Sequence, residues 1–234
     1  MKPLALVTGA SKGIGAAISE SLLKEGWQIY GIGRDFENCR LTDHPDFHAW
    51  TLDLMDTGAL LDKVNSLPAE SLSLLVNNAG LAWYGMHETI SAKAIHAMTM
   101  VNLEVPMLLS QALLRPLRKN RGTIINIASV TAMHTSTHAA CYGALKAALL
   151  HFSRTLLEEN RRHGLKVACI MPDMTDTELY RSADFACDQS EGACLYPADV
   201  AKAVMEVLHM RSGALISEIV LQPQIHRIRK KTAD

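Results

Sequence analysis

A chain of 234 residues with 23 basic and 24 acidic side chains, net charge −1 and 48% apolar residues has the make-up of one ordinary globular domain, 1–234. That balance gives no basic surface for nucleic acid and no reason to expect a membrane as partner. Five cysteines at wide, irregular intervals (Cys39, Cys141, Cys169, Cys187, Cys194) form neither a CxxC pair nor an even framework, which predicts reduced thiols and a cytoplasmic location.

The short aliphatic run 4–7 predicts a first strand, since the apolar stretch is too brief for a signal-peptide core. It passes directly into Thr8-Gly9-Ala10-Ser11-Lys12-Gly13-Ile14-Gly15 and then into a helical pattern with Ile14, Ala17, Ile18 and Leu22 that ends at Gly26. Three glycines where a strand turns sharply into a helix suit a phosphate. The backbone can approach it closely, and the helix N-terminus supplies free N–H groups and the positive dipole end. The spacing is GxxxGxG rather than GxGxxG, and a plain tight connection is the alternative. A second strand, 28–32, ends in Gly33-Arg34-Asp35, where an acidic side chain would accept from a ribose 2′-hydroxyl and a guanidinium would pair with a 2′-phosphate. Gly33 leaves room, Arg34 follows, and Lys12 can add a second cation, so NADP(H) is favoured, while Asp35 leaves NAD(H) open.

Further strands are predicted at 47–52, 72–76, 123–127, 167–171 and 216–221, and no other stretch has the length expected of a membrane span. Seven apolar strands separated by helices predict an α/β fold of Rossmann type: a doubly wound seven-stranded parallel sheet with helices on both faces, binding ligands at the C-terminal strand ends. Ser129 lies just past the fifth strand, although a serine there also serves turns and caps. Tyr142 and Lys146 stand i, i+4 in a helical stretch over 139–162 and so share a face. An ammonium beside a phenol favours the phenolate and brings a group that titrates near pH ~10 towards use as a proton donor-acceptor. Residues 175–195 are the longest weakly patterned stretch and read as a lid over substrate; Arg227, Arg229, Lys230 and Lys231 read as a solvated tail.

Taken together these motifs resemble the short-chain dehydrogenase/reductase family, of the single-domain kind, over essentially the whole chain. Thr8 to Gly15 fits its cofactor turn, Asn77-Asn78-Ala79-Gly80 its motif after the fourth strand, and Asn102, Ser129, Tyr142 and Lys146 its catalytic set. The resemblance implies an oxidoreductase interconverting a ketone, aldehyde or 3-oxoacyl compound and its alcohol. Ser129 and Tyr142 would bind the carbonyl oxygen and Tyr142 would donate the proton. Lys146 would hold the nicotinamide ribose and lower the tyrosine pKa, and Asn102 would anchor a relay water. For the cofactor it implies Gly9, Ser11, Lys12, Gly13, Ile14, Gly15 and Arg34 on the phosphates. Asp53 and Leu54 would lie at the adenine and Asn78, Ala79 and Gly80 at the ribose. Tyr142 and Lys146, with Pro172, Thr175 and Thr177, would lie around the nicotinamide. A homodimer or homotetramer is implied as well. One departure stands out: Asp173 follows Pro172 where the family has glycine, so a carboxylate either reshapes the pocket or turns outwards to the loop.

His134 and His138 border the pocket in sequence, Trp83, Tyr84 and Met86 suit an apolar substrate wall or a subunit contact, and Cys141 suits packing. Ten histidines show no ligand spacing, which predicts no catalytic metal. A nucleotide-sensing scaffold without turnover is the alternative; it has no physical need for a complete proton-transfer set.

Overall fold

The computed structural model describes residues 2–181, 183–225 and 227–231. Its main sheet holds the strands β1 (Leu4–Thr8), β2 (Gln28–Gly33), β3 (Phe47–Thr51), β4 (Leu72–Asn77), β5 (Thr123–Ile127) and β6 (Lys166–Pro172); β7 (Phe185–Cys187) lies outside it and β8 (Glu218–Leu221) completes it. The order is β3-β2-β1-β4-β5-β6-β8, with every pair parallel. All seven predicted strands are present, with ends moved by one or two residues. β1 and β5 are buried at every position, which is why their sequences are apolar without alternation.

Helices cover both faces. On one side α1 (Gly13–Lys24) lies beside α6 (Pro197–His209), and Ile18, Leu22, Val200, Val204 and Val207 form a core with Ala5, Val7 and Ile170. On the other, α2 (Thr57–Val64), α4 (Val105–Lys119) and α5 (Ala140–Asn160) bring Leu60, Leu109, Leu113 and Leu156 against Leu6, Leu75 and Ile124. Each such aliphatic side chain removed fully from water contributes about 1.5–3 kcal/mol before chain entropy is set against it. Local signals start the helices. The Asp56 carboxylate accepts from Ala59 N–H at 3.0 Å at the head of α2, and the Ser91 hydroxyl from Ala94 N–H at 3.2 Å at the head of α3 (Ala92–Thr99).

α3 and α4 are joined by a π turn, Met100–Glu104, into one helix, Ala92–Lys119, that is long and apolar enough to cross a membrane. This differs from the reading that no stretch reaches such length. The apolar residues are spent on the core, where Met98, Val105, Leu109, Leu113 and Leu117 are buried. Two further expectations are corrected. The basic tail is not simply solvated: β9 (Ile228–Lys230) pairs antiparallel with β7, Phe185 opposite Lys230 and Cys187 opposite Ile228. Nor are all cysteines free, because Cys187 and Cys194 form a disulfide across the lid, with Cα atoms 5.7 Å apart, leaving Cys39, Cys141 and Cys169 as thiols. The pair stand seven positions apart in sequence, and only the fold of the lid brings them together.

Candidate active site

β1 ends in Thr8, whose buried hydroxyl accepts from the N–H groups of Asn78 and Ala79, each at 3.0 Å, and so ties the glycine turn to the end of β4. Asn78 returns the link: its Nδ2 donates to the carbonyls of Thr8 (2.8 Å) and Gly9 (3.3 Å). The turn needs its glycines. Gly9 and Gly13 have φ of +67° and +57°, and a Cβ on Gly15 would stand 2.2 Å from the Gly9 carbonyl oxygen. α1 begins at Gly13 with no side-chain cap from Lys12, so its first N–H groups keep their capacity for an anion. That donor set, beside glycines that let a ligand close to the backbone, fits the pyrophosphate of a dinucleotide.

At the end of β2 Arg34 is exposed, and Asp35 is not aimed at a ribose: its carboxylate accepts from Glu37 N–H at 2.8 Å. The room expected at Gly33 is bounded by the Phe36 ring and the Ser11 hydroxyl, 3.0 and 3.1 Å from where a Cβ would be. Asp53 is exposed and accepts from Met55 N–H at 3.0 Å, with Leu54 buried behind it. Ile14 packs partly buried against the core. Lys12 pairs with Glu178 of the lid, 166 positions away in the chain.

The four residues of the expected catalytic set all sit in the core. Ser129, Tyr142, Lys146 and Asn102 are 9%, 4%, 3% and 0% exposed. Ser129 starts the turn after β5, and its hydroxyl, which accepts from Thr131 N–H at 3.2 Å, also neighbours the Tyr142 phenol as a hydrogen-bond partner. Tyr142 and Lys146 lie one turn apart on α5. The Lys146 ammonium donates to the Ile127 carbonyl at 2.9 Å and stands 5.6 Å from the centre of the Tyr142 ring. Asn102 occupies the π turn, a local irregularity of the kind that marks functional positions. Its Nδ2 donates to Leu81 and Met98 carbonyls at 2.8 and 2.9 Å, and its Oδ1 accepts from Leu81 N–H. A Cβ on Gly80 would reach 3.2 Å from Asn102 Oδ1 and 3.8 Å from Lys146 Nζ, so Gly80 keeps the space between them open.

The electrostatics differ from expectation. Burial pushes the Tyr142 phenol up, with the nearby Tyr180 acting in the same direction and the Ser129 hydrogen bond opposing both. Burial also brings the Lys146 ammonium down to about 8. Both shifts are desolvation, and the cause is visible: aromatic side chains lie over the site. Tyr84 is 6.0 Å from Tyr142, stacks on Tyr180 at 5.9 Å, and meets Phe185 edge-on at 4.9 Å. Neither of two surface clefts, of about 270 and 670 Å³, is lined by Ser129, Tyr142 or Lys146.

Asp173 is buried and accepts from Met174 N–H at 2.8 Å, so it does bond to its loop but does not turn out to solvent. Pro172 closes β6, Thr175 bridges to Leu195, and Thr177 lies against the glycine turn. His134 and His138 are exposed. Trp83 and Tyr84 pack with Met98, Tyr142 and Leu145, whereas Met86 is 55% exposed. Among the described residues no group of three or more His, Cys, Asp or Glu could hold a metal.

The family model for short chain dehydrogenases matches residues 3–186. This chain is a short-chain dehydrogenase. Such enzymes are oxidoreductases that act on alcohol and carbonyl groups. It is 30% identical over 230 residues to an uncharacterized oxidoreductase of Staphylococcus saprophyticus, covering 94% of this chain and 97% of that one. It is 33% identical over 181 residues to a serine 3-dehydrogenase of Agrobacterium fabrum, covering 74% and 72%. The closed form of a serine dehydrogenase complexed with NADP+ superposes with a TM-score of 0.83 at 26% identity, covering 96% of this chain and 99% of that one.

In this short-chain dehydrogenase, sequence reasoning placed Thr8 in the glycine turn but missed its tie to the end of β4, and it missed Glu178 and Tyr180 altogether. Thr8 carries only a local polar signal, and its two acceptor contacts reach residues 70 and 71 positions away. Glu178 and Tyr180 sit in the weakly patterned lid, where nothing in the order of residues shows what they touch.

Proposed function

We propose that this short-chain dehydrogenase is an NADP(H)-dependent reductase of a ketone, aldehyde or 3-oxoacyl compound, working also in the direction of alcohol oxidation. The observation that carries the proposal is the meeting of Ser129, Tyr142 and Lys146 at the C-terminal end of β5, beside the glycine turn. Lys12 and Arg34 favour NADP(H), and Asp35, held by its own loop, gives NAD(H) little to bind. The NADP+ complex of the related serine dehydrogenase supports the same choice.

Bound NADP(H) supplies the hydride. The chain's residues do the rest: the Ser129 and Tyr142 hydroxyls hold the substrate oxygen, and Tyr142 passes its phenolic proton to that oxygen as negative charge develops. Lys146, one turn along α5, holds the cofactor ribose and, once charged beside it, favours the phenolate. Asn102, whose side chain is held by the Leu81 and Met98 carbonyls, anchors the water that relays protons from Lys146 to solvent. Pro172, Thr175 and Thr177 hold the nicotinamide end; Asp53, Leu54, Asn78, Ala79 and Gly80 hold the adenosine end. The substrate is a small molecule, the active unit is a homodimer or homotetramer, and the location is the cytoplasm.

The test is fluorescence titration with NADPH and NADH, then a panel of carbonyl compounds with wild type and Tyr142→Phe. Tighter NADPH binding, with turnover lowered about 10²- to 10⁴-fold and binding kept in the variant, is the expected result. A Tyr142→Phe variant as active as wild type rules out the assigned proton donor.

A further inference from the structure

The cleft of about 670 Å³ lies at the far end of the sheet from Tyr142, where α4 and α5 finish and β5 and β6 begin. β6 runs from Lys166 at this cleft to Pro172 at the catalytic end, about 20 Å away, so the cleft is no part of the cofactor groove. Arg121, Arg161, Arg162 and Lys166 put four cations on its wall, His163 stands among them, and no lining residue carries a carboxylate. In a chain of net charge −1 such a segregation is invisible in the overall balance. A basic residue near the end of a helix offsets its dipole, which accounts for Arg161 and Arg162 after α5. It does not account for Lys166, the first residue of a strand. Nor does it account for Arg121, which lies beyond α4 with φ of +50°, a left-handed conformation where glycine is the usual occupant. The Arg121 stem lies over Gly164, its Cγ 3.4 Å from the place of a Cβ there, and so reaches the Arg161–His163 turn. Arg161 pairs with Glu158 at 2.9 Å and the Lys166 ammonium donates to the Met210 carbonyl at 3.3 Å. Among the described residues Arg121 and Arg162 have no carboxylate partner. Leu157 and Leu165, both buried, and half-buried Leu215 give the same cleft an apolar lining.

We propose that this cleft is a second binding site, independent of the catalytic one, for a small organic polyphosphate of the class of a nucleoside di- or triphosphate. The guanidinium forks of Arg121 and Arg162 match phosphate oxygens in bidentate fashion, and Lys166 adds a point charge between them. The leucines receive the flat, less polar part of the ligand. The volume falls in the range of small-molecule sites, and a wall of cations without a carboxylate selects for a ligand with several negative charges.

The experiment is calorimetric titration of the full chain, at physiological salt, with ATP, inorganic tripolyphosphate and inorganic phosphate, repeated with NADPH at saturation. It compares wild type with Arg162→Gln, at an exposed position, and with Arg121→Asn, which keeps a residue that tolerates left-handed backbone; far-UV circular dichroism confirms that both are folded. One ATP per chain is expected, with Kd below about 1 mM, at least as tight as tripolyphosphate and about 10-fold or more tighter than phosphate. Each variant should weaken ATP binding about 3- to 10-fold and leave NADPH affinity unchanged. A wild type that binds neither ATP nor tripolyphosphate, or variants that bind ATP as wild type does, overturns the site. ATP displaced by NADPH belongs to the cofactor groove, which overturns it equally. Tripolyphosphate binding tighter than ATP overturns the role of the leucines, and phosphate binding as tight as tripolyphosphate reduces the cleft to a patch of positive charge. The two variants decide the matter whether or not NADPH binds, so failure here and failure of the cofactor reading are told apart.

Discussion

Thr8→Val separates a role in holding the cofactor turn from one in mere packing. Valine keeps the shape of threonine at a position that is 2% exposed, and removes only the oxygen. That oxygen accepts from Asn78 N–H and Ala79 N–H, both at 3.0 Å, and lies 3.4 Å from the Val76 carbonyl as donor. Leaving a buried donor without a partner costs about 1–3 kcal/mol. Asn78 and Ala79 are only partly buried, so water relieves some of this, and the two together cost about 2–4 kcal/mol. For a chain of this size each kcal/mol is about 2–4 °C in Tm, which places the loss between about 4 and 16 °C. Thr8→Ser keeps the oxygen and loses one methyl, about 1 kcal/mol. Urea unfolding and thermal melts of the three proteins, with NADPH affinity measured alongside, make the comparison. A Thr8→Val protein within 0.5 kcal/mol of wild type, or a Thr8→Ser protein destabilised as much as Thr8→Val, refutes the claim that the shared acceptor holds the turn.

Three other expectations follow from particular contacts. Lys146 has its pKa lowered by burial from 10.5 to about 8, so between these values the unfolded chain binds a proton the native one does not, and stability rises with pH. Urea unfolding at pH 8, 9 and 10 should show wild type gaining on Lys146→Met, and a difference constant over that range contradicts the burial effect. Gly15→Ala puts a Cβ 2.2 Å from the Gly9 carbonyl oxygen, a clash between backbone atoms that no side-chain rotation relieves. It should lower stability by more than ~1–3 kcal/mol and abolish nucleotide binding, whereas Gly58→Ala, whose nearest contact is an ordinary 3.6 Å, should change binding little. Thiol titration in denaturant without reductant should count three groups, from Cys39, Cys141 and Cys169, and five after reduction; five before reduction removes the Cys187–Cys194 bond.

The sheet was legible because a parallel sheet buried on both faces demands aliphatic strands, and each of the seven shows as a run that needs no partner to be recognised. The glycine turn and the Tyr142–Lys146 pair were legible for a related reason: their geometry is set within a few residues, by positive φ at Gly9 and Gly13 and by the i, i+4 spacing of a helix. Direction of charge was harder. An ammonium one turn from a phenol suggested a lowered tyrosine pKa, but the fold buries both, and desolvation pushes the phenol up and the ammonium down.

The lid resisted reading because its order comes from contacts far apart in sequence. β7 and β9 are three residues each, with charged side chains in β9, and neither has the length or alternation that marks a strand by itself. Each becomes one only against the other, with Lys231 donating its amide to Asp184 and its ammonium to the Tyr180 carbonyl at 2.7 Å. Glu178 meets Lys12 across 166 residues. Chemistry that every member of a family shares can be written into local spacing, since the same atoms must meet in each of them. A segment that covers the site need only fit its own neighbours, and so the residues that decide access to Tyr142 carry no local pattern.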